Sequence, residues 1–458
     1  MVFSSILFLF RFLPIAFSLY YLTPKRAKNA VLLVLSLVFY SWGEAKYFPI
    51  MIASILVDYT ASRVIESHRD KKWVCRASLG ASLFFNLGML FFFKYTNFFV
   101  DNINALAGTA IGHIDLTLPL GISFYTFQTL SYTIDVYRGK VKAERNIIDF
   151  GAFVVLFPQL IAGPIVKYTD VQRELRERRF DAAQITDGIA LFIFGLGKKV
   201  LIANNIGSLW DVVQQTGFSE ISSPLAWLGI LAYSFQIYFD FSGYSLMAIG
   251  LGKMLGFEFP QNFNYPYISR SITEFWRRWH MTLGSWFREY VYIPLGGNRV
   301  SKGRMYFNLF VVWAATGFWH GASWNFVLWG LFFFVILVLE KRFYLEKLNQ
   351  SRVFSHLYVI FLLIISWALF AITDLSQLAV FIGKLFSFTG GADWVYYLRN
   401  YGITFAAAAL FSTPLAERLY NKIKKHQALN LAVLGLILVI SVAYLVDATY
   451  NPFLYFRF

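Results

Sequence analysis

The sequence predicts an all-α protein that crosses a membrane many times, and three observations predict it. Hydrophobic residues make up 57% of the chain, aromatics 20% and charged residues only 15%. Apolar runs of about 20 residues, the length a helix needs to cross hydrocarbon, recur from end to end. Lys and Arg gather in short clusters between these runs, as in cytoplasmic loops facing anionic lipid. A soluble core could not absorb so many runs, and a β-barrel would show short alternating segments instead. Counting gives about eleven membrane segments in a single integral membrane domain over residues 1–458. The net charge of +15 is explained by those loops, so the expected partner is the bilayer and not nucleic acid. The lone Cys75 excludes an internal disulfide and a multi-cysteine metal site; no metal site is expected.

The opening MVFSSILFLFRFLPIAFSLYYL has no basic residue ahead of its apolar part and no small-x-small cleavage site. It reads as a retained first span, not a secretory signal. Lys25, Arg26 and Lys28 follow it, which puts the N-terminus outside. Residues 30–59 are apolar but broken by Gly43, Glu44, Lys46 and Pro49, with basic residues at both ends. Two short tilted segments fit this better than one span. Residues 79–100 form a clear span. Residues 101–117 form a polar connection in which His113 is solvated.

Residues 118–139 form a span with a polar stripe, because Gln128, Ser131 and Asp135 share a helical face. The stripe either bonds neighbouring helices or walls a polar conduit. Residues 147–166 carry Pro158, Gly163 and Pro164 between basic flanks. That is a re-entrant pattern, and broken backbone at membrane depth must be buried in protein or line a cavity. Residues 188–203 form a span whose Lys198 and Lys199 are expected to snorkel. In the span 225–251, Gln236, Asp240 and Gly243 share a face, and an intramembrane carboxylate such as Asp240 needs a partner.

Residues 253–304 contain no clean span and are expected on the cytoplasmic side. Phe275, Trp276, Trp279, Leu283, Trp286 and Phe287 make an apolar stripe opposite Arg277, Arg278 and Arg288, which predicts an interfacial amphipathic helix. His280 sits at the stripe's edge, where it could equally snorkel to headgroups. Further spans are expected at 357–372 and 431–446, with weaker segments at 379–388 and 403–411.

The chain is organised around WAATGFWHGASWNFVLW, residues 313–329. It lies in a hairpin, 305–341, flanked by Arg304 on one side and Lys341 and Arg342 on the other. His320 is about 16 residues from one foot and about 21 from the other, roughly 24 Å or more along a helix in a hydrocarbon layer of about 30 Å. In one helix, Trp313, Gly317, His320 and Trp324 would share a face, and Gly317 would leave space beside the ring for a substrate. A titratable group at that depth is a functional-site hypothesis by default; the alternative is a structural histidine donating to a carbonyl. A neutral imidazole in a dry site can act as general base toward a hydroxyl, which would require an activated donor.

The sequence resembles the membrane-bound O-acyltransferase (MBOAT) family, in its bacterial alginate O-acetyltransferase-like branch. Peptidoglycan O-acetyltransferases and the teichoic acid D-alanyl transfer protein belong to the same branch. The resemblance runs through MVFSSILFLFRFLPI, LPLGISFYTFQTLSYTIDVYRG, FPQLIAGPI, YFDFSGYSLMAIGLGKMLGFEFPQNFNYPY, EFWRRWHMTLGSWFREYVYIPLGG, TGFWHGASWNFVLWG and YNPFLYFRF, from the first span to the last residue. It implies a helix bundle around a central tunnel, with re-entrant and interfacial helices. It implies His320 as catalytic base in the tunnel and His280 as a second functional histidine.

Within that reading, Gln128, Asp135, Gln236, Asp240, Trp313, Gly317 and Trp324 are candidates for lining the tunnel. Trp276, Arg277, Arg278 and Trp279 are candidates on the donor side. The tail 447–458 fits Phe-x-Tyr-x-x-Phe through Phe453, Tyr455 and Phe458, a motif that in the teichoic acid branch ends a small separate partner, whose tyrosine is a proposed acyl carrier. Here it would be fused to the enzyme, unless these rings only anchor the interface. The donor implied is a cytoplasmic acyl thioester, acetyl-CoA or an acyl carrier protein, with no permanently bound cofactor. The acceptor implied is an extracytoplasmic polysaccharide reached with a periplasmic or surface acetyltransferase, from a bacterial cytoplasmic membrane. The rival is a transporter of a small solute or polysaccharide precursor, which would also need polar stripes and a re-entrant segment. Its usual paired halves with matching broken helices are not seen in the sequence.

Overall fold

The computed structural model describes residues 1–161, 163–178, 181–348, 350–447 and 454. Among them every regular element is helical. The chain divides into two compact units, one of residues 1–192 with 246–260, the other of residues 193–245 with 261–458.

The first unit begins with a π-helical turn, Phe8–Phe12, leading into α1, Leu13–Leu22. Then come α2 (Lys28–Glu44), α3 (Phe48–Ser67), α4 (Lys72–Ala107) and α5 (Ile122–Tyr137). The broken stretch 30–59 is thus two helices, with Pro49 in the first turn of α3, where a missing N–H costs nothing. Residues 147–166 are interrupted as their prolines require: α6 (Ile147–Val155) stops at Leu156, and Pro158 opens the single turn α7 (Phe157–Leu160). Both pieces are enclosed by protein: residues 150–161 are all buried. Then α8 (Tyr168–Arg176) follows, and α9 (Ala182–Gly197) runs from the first unit into the second.

Asp58, in the apolar α3, went unremarked in the sequence. It is fully buried and accepts hydrogen bonds from Ser82 Oγ at 2.5 Å, Asn86 Nδ2 at 2.8 Å and Thr133 Oγ1 at 2.9 Å. It knots α3, α4 and α5 together, as a buried carboxylate must if its lone pairs are to be satisfied.

In the second unit a π-helical stretch, Lys198–Asn204, leads into α10 (Asn205–Thr216). The 32-residue α11 (Ser223–Met254) starts here and ends in the first unit. Next are α12 (Ile272–Arg278), α13 (Met281–Phe287), α14 (Lys302–His320) and α15 (Trp324–Leu339). The unit closes with α16 (Leu345–Leu348), α17 (Arg352–Ala371), α18 (Leu375–Phe386), α19 (Asp393–Phe411), α20 (Leu415–Ile423) and α21 (Gln427–Asp447). Among the described residues four helices are long and apolar enough to cross a membrane: α3, α4, α17 and α21.

The expected amphipathic helix through Phe275–Phe287 is two helices. Ser271 caps α12 by accepting the Glu274 N–H at 2.9 Å, and Trp279 leaves the helix in an extended conformation. His280 takes a left-handed conformation (φ 44°, ψ 51°) and opens α13. The apolar stripe is covered by protein instead of lying free: Phe275, Trp279, Leu283, Trp286 and Phe287 are all buried.

Candidate functional site

Two imidazoles and a carboxylate meet at one cavity in the second unit. Its walls are Ile237, Asp240 and Phe241 of α11, Trp279 and His280 from the α12–α13 junction, and His320. Trp329 of α15, Trp367 and Phe370 of α17, and Leu454 complete it. His320 is the last residue of α14, and Gly321 behind it is extended. The helix over Lys302–His320 has 19 residues, roughly 28 Å at the α-helical rise. His320 is therefore carried to the end of α14 away from Lys302. Its ring packs edge-on against Trp329 at 5.0 Å and Phe370 at 5.3 Å. Asn325 fixes this arrangement by donating to the Leu369 and Phe370 carbonyls at 3.1 and 3.2 Å.

His280 is buried, so it does not snorkel to a surface. Its ring meets Phe241 at 4.7 Å and Trp319 at 6.2 Å, and Trp319 in turn meets His320 at 5.0 Å. Asn262, which the sequence reading passed over, sets its orientation. The Asn262 side-chain oxygen accepts from the Thr282 N–H at 3.3 Å and the Thr282 hydroxyl at 2.9 Å. An N–H can only donate, so this end of the amide is the oxygen, and His280 Nδ1, 3.1 Å away, must supply the hydrogen. The neutral ring then carries its bare lone pair on Nε2. Backbone bonds from Asn264 N to Arg278 O at 2.9 Å and Met281 N to Asn262 O at 3.0 Å hold the strained junction.

Asp240 has the partner its depth demands. Lys199 Nζ lies 2.6 Å from its Oδ1, with both side chains buried, and the Leu454 N–H donates to its Oδ2 at 2.9 Å. Lys199 thus does not snorkel. It faces α11 where the π-helical stretch passes close to Gly243, whose added β-carbon would lie 3.0 Å from the Lys199 backbone nitrogen.

The other candidates are placed as follows. Gly317 opens no space beside the imidazole: a β-carbon there would lie 2.4 Å from the Phe326 carbonyl and 3.2 Å from Gly330 Cα. The room is taken by α15, which crosses α14 at this point. Trp324 shares no helix face with His320, because α14 ends before it; it is 52% exposed and absent from the cavity wall. Trp313 is buried against Trp276 at 4.8 Å and Phe333 at 5.4 Å and is not in the cavity wall. Gln236 is buried against Gly207 and is not in the wall. Gln128 and Asp135 are buried residues of α5 in the first unit, and Lys140 lies 3.5 Å from Asp135; neither lines the cavity. On the donor side, Trp279 lines the cavity and Trp276 wedges into the hairpin. Arg278 is tied to Glu274 at 2.9 Å, and Arg277 is exposed. Tyr455 lies outside the described residues.

The whole is a multi-helix membrane protein with a buried, aromatic-walled cavity bearing two histidines. Comparison with known proteins gives the class a name. Residues 142–346 match the model of the membrane-bound O-acyltransferase family. The chain is 38% identical to a probable alginate O-acetylase of Pseudomonas putida over the whole length of both. It is 41% identical to a probable alginate O-acetylase of Azotobacter vinelandii over 86% of this chain and 79% of that one. A peptidoglycan O-acetyltransferase of Helicobacter pylori is 38% identical over 75% of this chain and 71% of its own. The chain belongs to the membrane-bound O-acyltransferase family, and it is an acyltransferase.

Proposed function

We propose that this protein is an O-acetyltransferase. It takes an acyl group from a cytoplasmic thioester, acetyl-CoA or an acyl carrier protein, and passes it across the membrane to a cell-surface polysaccharide. The names of its relatives, alginate O-acetylase and peptidoglycan O-acetyltransferase, support a polysaccharide acceptor. The observation that carries the reading is the cavity at which His320, His280, Asp240 and Leu454 meet. His320 removes the proton of an acceptor hydroxyl. The oxygen attacks the thioester carbonyl, the carbon–sulfur bond breaks, and the thiol leaves with the proton. The acceptor is the phenol of Tyr455, next in the chain after Leu454, or an external hydroxyl; a phenol with a base nearby is a competent acyl carrier.

In this reading the donor docks on the 253–304 region near Arg277, the 305–341 hairpin is catalytic, and the tail 447–458 faces outward. The chain sits in the bacterial cytoplasmic membrane with its N-terminus outside. A periplasmic or surface acetyltransferase completes delivery to the polymer. The transporter reading draws no support from the relatives, whose names are those of acyl-transfer enzymes.

The test is the O-acetyl content of the surface polysaccharide in cells carrying His320→Ala or Tyr455→Phe at matched protein levels. His320→Ala is expected to lower it by roughly 100-fold or more, the range of a lost general base. Loss in both variants supports a tyrosyl ester relay, and loss in His320→Ala alone supports direct transfer. Unchanged ester in His320→Ala, where the wild-type gene is required, would overturn the assignment.

A further inference from the structure

Asp240 divides its two oxygens between distant parts of the second unit. Oδ1 faces the Lys199 ammonium at 2.6 Å, and Oδ2 accepts the Leu454 N–H at 2.9 Å. Lys199, Asp240 and Leu454 are all buried, and Asp240 and Leu454 stand with His320 in one cavity wall. An ion pair taken this far from water costs several kcal/mol per ion, and an apolar pair of the same shape is often as stable. Stability therefore does not account for the pair, but the bond to Leu454 does. The Lys199 ammonium on Oδ1 and the Leu454 N–H on Oδ2 make this a charge-assisted arrangement, and such hydrogen bonds are about twice as strong as neutral ones.

We infer that Lys199 and Asp240 form a clamp that fastens the backbone at Leu454 to the wall of the His320 cavity, which makes both of them positioning residues for acyl transfer. The inference rests on the transfer reading given above. The clamp acts on the main chain, so it is indifferent to the side chain at 454. It fixes the backbone at Leu454, the residue that precedes Tyr455 in the chain.

Two double variants isolate the bond to Leu454, and neither leaves a buried charge unpaired. Lys199→Met with Asp240→Asn keeps an acceptor oxygen; Lys199→Met with Asp240→Leu removes it. Each is placed in full-length protein in native membranes, with Leu454→Cys as a reporter and Cys75→Ser to remove the native thiol, and the rate of maleimide labelling is read. Labelling of the Leu double is expected to rise roughly tenfold over the double that keeps the acceptor, Lys199→Met with Asp240→Asn, the factor one hydrogen bond carries. Without the reporter, ester content should fall in the Leu double and be rescued in the Asn double, in the same order as labelling. Equal labelling in the two doubles would overturn the clamp. Faster labelling with ester content equal in both would overturn its role in transfer. His320→Ala, run alongside, separates these failures from failure of the transfer reading itself: that reading falls only if ester persists without His320.

Discussion

Gly317 of α14 and Gly330 of α15 face each other at the crossing of the hairpin. A β-carbon built on Gly330 would lie 2.4 Å from the Trp313 carbonyl and 3.2 Å from Gly317 Cα. The contact is backbone on backbone, with no flexible side chain to give way. Gly317→Ala is expected to cost about 1–3 kcal/mol, the usual range for overpacking, and to splay the hairpin that presents His320. A thermal scan of the detergent-solubilised protein and an ester assay should both register it. An unchanged unfolding midpoint would mean the helices can separate freely.

Glu340, at the foot of the hairpin, is fully buried and accepts from the Ile272 N–H at 2.6 Å, the Thr273 N–H at 2.8 Å and the Thr273 hydroxyl at 2.6 Å. It satisfies the orphan donors at the start of α12, where negative charge is favoured. Glu340→Gln turns one acceptor oxygen into a donor facing donors. It should cost about 2 kcal/mol or more, whereas Thr273→Ala loses one bond and costs about 1 kcal/mol. Unfolding midpoints that rank the two variants the other way would refute this arrangement.

Asn262 should matter through its acceptor oxygen. Asn262→Ala leaves His280 free to exchange tautomers and is expected to lower ester formation roughly tenfold, about the worth of one hydrogen bond. Asn262→Asp keeps an oxygen toward Nδ1 and should retain more activity than Asn262→Ala. If the two variants behave alike, the tautomer is set elsewhere.

Glu144 gives the first unit a pH dependence. The residue lies in the loop before α6. Burial pushes its carboxyl up, but bonds from the Tyr168 hydroxyl at 2.7 Å, the Asn146 N–H at 3.1 Å, Arg176 at 3.2 Å and the Arg145 N–H at 2.7 Å outweigh it. The net shift is below the ordinary glutamate value. A depressed carboxyl stabilises the folded state above its unfolded pKa, and that stability is lost as pH falls through the folded value. Glu144→Gln should therefore lower the unfolding midpoint at neutral pH, with the deficit shrinking below about pH 4. A deficit independent of pH would contradict the assignment.

Much of the site was legible in the sequence because depth and chemistry are both readable there. His320 stood out as an imidazole in an apolar run, far along the chain from its basic flanks. Asp240 stood out as a carboxylate needing a partner. The partner itself was hidden: Lys199 lies at the end of an apolar run, where a lysine ordinarily reaches for the interface, and only the π-helical turn aims it inward. Asn262 and Glu340 were invisible because their work is done on backbone groups distant in sequence, which leave no periodic trace. Gly317 was misplaced because α15 fills the space beside it, and Trp324 because the helix was assumed to continue past His320. Gly321 ends it, so face arithmetic beyond that residue fails. The break at His280 escaped detection because the apolar spacing runs unbroken across it.

The indole of Trp276 sits between the arms of the hairpin, 4.8 Å from Trp313, 5.6 Å from Trp329 and 4.8 Å from Phe333. It behaves as a key in a lock. With that key seated, the segment bearing His280 and the arm bearing His320 cannot slide past one another, since side chains packed this closely move together or not at all. The spacing between the histidines is thus a property of the scaffold, set before any substrate arrives.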